Sequence, residues 1–349
     1  MNRAMGYFKN RFKSTGIRLP AMCLLAMLVT FSAYNGGVTE YIVRYQRYLD
    51  GKMMHEPVFG MHGTWMWLIA TAFCFIIALM ELSAFNDRRF LDTVRSSPLS
   101  NTALVLSHVG NGIVQYTLVY FCICASMLAA HIPVMKMIHV GSLIEYFIVT
   151  YIIALALYCF FSLTFTFGNT VFDGAAISLV WSFTPFLIEG AVYNTLHNAY
   201  GIKCDNSFHL KFLPYNYLAM ADDKYNALYT REAAYAFSPY PFAVLGISLA
   251  VMAVCLCFAV LRIKTRRTER AGETSDFILG YKALIPAVVL SAGVAVELQD
   301  EPIVVTLLVV AEVIGFVMYK RGFKFKPKEL VAIVIIAALI VLEGFLLPT

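Results

Sequence analysis

The stretch HGTWMWLIATAFCFIIALMELSAF, residues 62–85, is 24 residues long and contains a single charged residue, Glu81. A helix needs about 20 consecutive apolar residues to cross the hydrocarbon core of a bilayer. Helices of soluble domains instead carry polar residues at every turn, on the face that meets water. The stretch is therefore predicted to form a transmembrane helix.

Similar apolar runs recur along the whole chain. Hydrophobic residues make up 60% of the 349 residues and charged residues 14%, and the mean hydropathy is +0.70. This composition is too poor in polar residues for the surface of a soluble domain, so we predict an all-α polytopic membrane protein. The nine candidate spans are residues 18–34, 62–85, 103–128, 144–167, 175–196, 241–261, 283–298, 302–319 and 329–347.

The distribution of lysine and arginine predicts the orientation. Basic residues near span ends are retained on the cytoplasmic side, and 19 of the 27 fall there if the N-terminus is inside. We therefore expect the N-terminus inside and the C-terminus outside. The net charge of +5 reflects this topology and contact with anionic lipid headgroups, and it does not indicate nucleic-acid binding.

Three segments outside the spans carry distinctive patterns. In residues 1–17, Tyr7, Phe8 and Phe12 share a helical face opposite Lys9 and Lys13, which predicts an interfacial helix or a plain basic flank of the first span. The long outer loop 197–240 is amphiphilic and aromatic, which favours an interfacial or re-entrant hairpin over a small soluble cap.

The third segment is the loop 86–101, between the second and third spans. Its apolar residues recur at helical spacing, its charged residues occupy the other side, and a proline ends the pattern. The loop is predicted to form a short amphipathic helix that offers a compact surface to a cytoplasmic partner; the alternative is a solvated turn. The apolar residues are Phe90, Leu91 and Val94, the charged ones Arg88, Asp92 and Arg95, and the proline Pro98.

Sequence motifs for chemistry are absent. A phosphate-binding loop needs G-x-x-x-x-G-K-[ST], but Gly51-Lys52 is followed by Met53 and lacks the upstream glycine. Neither H-E-x-x-H nor G-x-S-x-G occurs, and the seven histidines are scattered. We therefore predict no catalytic residues, no metal site and no bound cofactor.

Acidic residues inside apolar spans are costly and mark buried contacts or cavities. Glu189 is the deepest, and Pro185 nearby is expected to break its helix, so both residues are candidates for a translocation path or for a structural contact between helices. The remaining acids are predicted to be structural: Glu81, Glu145, Glu297, Glu312 and Glu343.

Two motifs resemble a known family. The loop reads Arg-Arg-x-x-Asp-x-x-x-Ser-x-Pro-Leu from Arg88 to Leu99 and is followed by Leu106-Ser-His-Val-Gly, while the basic segment after residue 261 continues into Glu-x-Ala-Gly. The pattern over roughly residues 1–275 resembles the membrane subunits of ABC-2-type exporters from Gram-positive bacteria. It implies a six-span core over 18–261. The chain departs from the family at its C-terminus, where the basic linker 262–282 is followed by three further predicted spans over 283–349 that the basic family core lacks.

The resemblance also implies function. The chain is expected to be a permease subunit in the bacterial plasma membrane that moves a peptide-like, antibiotic or lipid substrate outward. A separate nucleotide-binding subunit would hold ATP and Mg, and a second permease would complete a homodimer or heterodimer. The loop would be the coupling helix, whose contacts are Arg88, Arg89, Phe90, Leu91, Asp92, Val94, Arg95 and Pro98, and Asp173-Gly174 would make a second contact.

Other classes of function stay open at this point. An ion-coupled secondary transporter would use an intramembrane acid such as Glu189 as its proton site. A receptor or immunity protein with the permease fold, but little transport, would share the same sequence features.

Overall fold

The computed structural model describes residues 2–50, 63–87, 89, 90, 92, 100–137, 140–200, 240–265, 277–295, 310, 312–317, 331, 333–335 and 338. Every regular element in these ranges is helical. A 3₁₀ turn extends the third helix over Ser83–Asn86, another follows the fourth over Ile132–Met137, and a π turn over Ile278–Lys282 precedes the eighth. The eight α-helices are α1 (Asn2–Lys13), α2 (Arg18–Leu49), α3 (Gly63–Leu82), α4 (Asn101–His131), α5 (Val140–Phe165), α6 (Val171–Tyr200), α7 (Tyr240–Thr265) and α8 (Ala283–Ala295).

Five helical stretches are long and apolar enough to cross a membrane, and two shorter apolar ones lie in α6 and at the start of α8. This is the architecture of a polytopic helical membrane protein, as predicted. The count of nine spans stays a prediction, because few residues of the last two predicted spans are described. The five stretches are Arg18–Arg47, Leu68–Asn86, Asn101–Val134, Tyr146–Phe165 and Leu245–Ile263.

Helix α2 is longer than the sequence pattern indicates. The predicted span ends at residue 34, but the helix continues to Leu49. One local side-chain contact supports the extension: Arg44 forms an ion pair with Glu40 one turn away. Pairs at this spacing stabilise a helix in water, so a helix does not have to end where its apolar run ends.

The chain divides into two compact units. The first comprises residues 1–82, 94–163 and 212–264, and the second comprises 83–93, 164–211 and 265–349. In the first unit, α4 packs against α1, α2 and α3. In the second, α6 packs against α8.

Helices α2 and α4 run parallel. Arg18 contacts Gln115, Ser126 donates to the carbonyl of Met27 at 2.8 Å, and the rings of Tyr34 and His131 lie 5.5 Å apart. The contacts advance in the same direction along both helices. A parallel first and third span is what a chain that crosses the membrane alternately requires.

Helix α5 packs closely on α4 because α4 offers a glycine. Tyr158 directs its hydroxyl toward the carbonyl of Val109 at 3.3 Å, and a Cβ atom at Gly112 would lie 2.7 Å from the Cζ of that tyrosine. A side chain at Gly112 would therefore displace the Tyr158 ring.

In the second unit, the turn between α5 and α6 is tightly packed. Thr166, Phe167 and Asn169 are buried, and the backbones of Gly168 and Gly174 approach closely. Thr170 begins α6 by accepting the amide N–H of Asp173 at 3.0 Å, as side-chain oxygens do at helix N-termini. The turn is therefore closely packed against the start of α6.

Candidate functional site

The most concentrated polar cluster in the described parts of the first unit surrounds Glu81, in the last turn of α3. This side chain is fully buried, with 0% of its surface exposed. A buried carboxylate is stable only when charged and hydrogen-bonding groups surround it. Three helices, α1, α2 and α4, supply such groups around Glu81 of α3. We call this set of residues the Glu81 cluster: Tyr7, Arg11, Arg18, Glu81, His108, Asn111 and Gln115.

Two arginines, one in α1 and one at the start of α2, provide the positive charge. Arg18 forms an ion pair with Oε1 of Glu81 and also donates to Oε1 of Gln115 at 2.9 Å. The Nε of Arg11, in α1, lies 3.5 Å from Oε2 of Glu81. Both arginine side chains are mostly buried. They pair with one acid, so the charged groups of the cluster sum to one positive charge.

One face of α4 supplies the neutral donors. The amide of Asn111 donates to Oε2 of Glu81 at 3.1 Å, and that of Gln115 donates to Oε1 at 2.8 Å. Nδ1 of His108 lies 2.9 Å from the backbone carbonyl of Glu81. A carbonyl only accepts, so Nδ1 carries the proton and Nε2 is left as an acceptor.

Helix α1 provides a hydrogen-bond donor to this acceptor nitrogen, Nε2 of His108. The hydroxyl of Tyr7 lies 3.0 Å from Nε2 of His108 and donates to it. Burial raises the pKa of the Tyr7 hydroxyl, the positive charge of Arg11 lowers this pKa, and the negative charge of Glu81 raises it. Because the net effect is a raised pKa, the hydroxyl keeps its proton. The predicted helix at the N-terminus is present, and Tyr7 and Phe8 of its aromatic face lie against His108 and Gly110 of α4.

Removal of the Tyr7 hydroxyl tests this contact. Tyr7→Phe leaves Nε2 of His108 without its donor, and we expect the loss of about 1 kcal/mol of stability. Thermal unfolding of the purified protein in detergent, followed by intrinsic fluorescence, measures the change. Lys9→Ala, on the exposed side of α1, is the matched control and should leave the midpoint unchanged; equal midpoints for the two variants would contradict the assigned contact.

The loop 86–101 is described only in part. The backbone N–H of Arg89 donates to Oδ1 of Asp87 at 2.9 Å, and the ring of Phe90 packs edge-on against that of Phe85 at 6.2 Å. Arg89 and Asp92 are exposed and Phe90 is half-buried, as an amphipathic helix requires. The other predicted coupling residues lie outside the described residues: Arg88, Leu91, Val94, Arg95 and Pro98.

The predicted second contact is enclosed in the second unit. Asp173 and Gly174 are both buried; Oδ1 of Asp173 accepts a hydrogen bond from the hydroxyl of Tyr281 at 3.0 Å, and Gly174 packs against Phe165. A role for these residues in binding an ATPase stays a prediction.

The helix that carries the predicted translocation residues is not broken. α6 runs without interruption from Val171 to Tyr200, so the expected break at Pro185 is wrong. In the turn before Pro185, Ser182 and Thr184 donate to the carbonyls of Leu179 and Val180. The side chains of Pro185 and Glu189 lie outside the described residues.

The sequence did contain a signal for the Glu81 cluster. His108, Asn111 and Gln115 are spaced by three and four residues, which places them on one face of a helix that is otherwise apolar. The sequence pattern predicts a structural role for Glu81, and the two arginines contribute to the predicted topology. The partners of each group became evident only when the four helices were seen packed together.

The fold and the Glu81 cluster together define an all-helical membrane protein whose N-terminal helix is joined to its spans by buried ionic contacts. In the ranges that the structure describes, no three or more His, Cys, Asp or Glu side chains are grouped to hold a metal ion. A scan against protein-family models, a search of curated proteins and a search of solved structures found no match to this chain.

Proposed function

We propose that the chain is the membrane-spanning permease subunit of an ATP-driven exporter. It moves a peptide-like, antibiotic or lipid substrate outward, and it pairs with a second permease. ATP and Mg bind to a separate nucleotide-binding subunit, since the sequence holds no phosphate-binding loop. The proposal is based on the motifs in loop 86–101, which resemble those of ABC-2-type exporters.

The observation that supports this proposal best is that charged residues are exposed in the loop between α3 and α4, two helices that contact each other through Glu81. Arg89 and Asp92 are exposed, and the loop connects α3 to α4, the two helices that Glu81 joins through Asn111 and Gln115. A partner that pushes on such a loop acts on two spans at once. Such a contact would couple ATP hydrolysis on the partner chain to movement of these two spans.

Charge reversal in the loop tests the proposal. Arg89→Glu removes a positive charge from the surface offered to the partner, and truncation or reversal of interface charges weakens association strongly. After affinity purification from native membranes, we expect Mg-dependent ATPase activity to copurify with the wild-type chain and to fall by about tenfold with Arg89→Glu, equivalent to ~1.4 kcal/mol of binding.

The matched control is Arg47→Glu. Arg47 is an exposed arginine near the end of α2, which is predicted to lie on the opposite side of the membrane, and its reversal should leave the copurified ATPase unchanged. Two results would count against the proposal: wild-type protein that brings down no nucleotide-binding subunit, or an Arg89→Glu variant that retains it at the wild-type level.

A further inference from the structure

Glu312 is a buried acid in the second unit with surroundings unlike those of Glu81. It belongs to the helical residues 312–317, and 0% of its surface is exposed. Neither of its carboxylate oxygens has a hydrogen-bond partner among the described residues. Glu81, by contrast, is met by two arginines and two amides.

The face of the helix that carries Glu312 is packed against apolar groups. Gly315 lies against Ile285 of α8, with room for no more than a tight methyl group, and Phe316 is buried among Tyr281, Ile285 and Val313. Glu312 precedes these two residues by three and four positions, so it shares their face. It is also the only charged residue in the predicted span 302–319.

The charged and titratable groups described around this face do not neutralise Glu312. Tyr281 is the titratable side chain packed on the cluster, and its hydroxyl donates to Asp173 at 3.0 Å. Lys282, the next residue, is exposed. A hard metal cation would need about six oxygen ligands, whereas the packed residues here are mainly apolar. The site of Glu312 therefore fits a proton and not a metal cation.

We propose that Glu312 is a proton-binding site in the C-terminal part of the membrane domain. Ionised, the carboxylate would be an unpaired charge in an apolar environment, which is far more costly than the neutral acid. It therefore holds a proton in this conformation and releases it when water or a cation reaches it. An ATP-driven permease does not require such a site, so the inference goes beyond the proposed function.

A lipophilic carbodiimide tests the protonation state directly. Dicyclohexylcarbodiimide reacts with a protonated carboxyl: the acid proton moves to a carbodiimide nitrogen, and the carboxylate oxygen bonds to the central carbon. Transfer of the acyl group from oxygen to nitrogen then gives a stable N-acylurea. No group leaves, so the modified peptide gains the mass of one carbodiimide.

We expect the purified full-length protein, treated in detergent at about pH 6, to carry this adduct on the peptide that contains Glu312. Only the protonated carboxyl reacts, so labelling should be weaker at alkaline pH than at about pH 6. The peptide that contains Glu81 should stay unmodified, because two arginines keep that buried acid ionised. Glu312→Gln, which replaces the neutral acid by a group of the same shape, should abolish the adduct and leave the elution profile unchanged.

The proposal is overturned if the Glu312 peptide stays unlabelled at low pH, or if its adduct forms equally with Glu312→Gln. Labelling of Glu81 to the same extent would also overturn it, because burial alone would then explain the reaction. Identification of the adduct in the wild-type protein does not depend on whether the variant folds. The reaction needs no ATPase partner, so its failure is distinct from the failure of the copurification test.

Discussion

Glu81→Ala is expected to destabilise the protein by roughly 3–5 kcal/mol, the cost of removing one partner from a buried ion pair. The variant leaves Arg11 and Arg18 mostly buried without their acid, and Asn111 and Gln115 without their acceptor. Because the residues come from four helices, the loss should affect the first unit as a whole. Size-exclusion chromatography and thermal unfolding in detergent measure the yield of folded protein and its midpoint.

The chain contains a matched control for this experiment. Glu40 also pairs with an arginine, Arg44, but both side chains are more than half exposed. Exposed pairs contribute about 0–1 kcal/mol, so Glu40→Ala should leave the midpoint close to that of the wild type. If Glu81→Ala and Glu40→Ala shift the midpoint equally, the Glu81 cluster does not hold the helices together.

Glu81→Gln separates the charge from the hydrogen bonds. Glutamine keeps the size of the side chain and one acceptor oxygen, but it removes the negative charge that balances Arg11 and Arg18. The midpoint is therefore expected between those of the wild type and Glu81→Ala. This ordering follows only if the arginines make a direct ionic contribution.

The fold class could be predicted from the sequence because the bilayer sets both the length and the hydrophobicity of each span. The stretch at 62–85 is found as α3 and its 3₁₀ extension, Gly63–Asn86. The predicted span ends at residue 34, whereas the helix α2 continues for a further 15 residues, to Leu49. Hydropathy locates the membrane, whereas the helix there is set by backbone hydrogen bonds and by the Glu40–Arg44 pair.

The Glu81 cluster was harder to predict, for a different physical reason. A sequence indicates how deep a residue lies in a span, but not which neighbouring helix it faces. Arg11 and Arg18 belong to the charge pattern from which a cytoplasmic N-terminus is predicted, and their guanidinium groups also pair with Glu81. This pairing depends on α1, α2, α3 and α4 being adjacent, which no periodicity in a single helix encodes.

Gly168→Ala is expected to destabilise the second unit by about 3 kcal/mol, the upper end of the range for overpacking. A Cβ atom at this position would lie 2.5 Å from the Cα of Gly174 and 2.8 Å from the carbonyl carbon of Asp173. These are backbone atoms and cannot rotate away as a side chain can. The turn between α5 and α6 would have to open, and the buried residues Phe167 and Asn169 would move with it.

The matched control for this substitution is Gly246→Ala in α7. A Cβ atom there meets nothing within 4 Å, and alanine favours a helix over glycine by roughly 1 kcal/mol. Thermal unfolding should therefore show an unchanged or higher midpoint for Gly246→Ala and a lower one for Gly168→Ala. Similar midpoints for the two variants would mean that the turn tolerates a side chain, and that the close approach of Gly168 to Gly174 does not hold it closed.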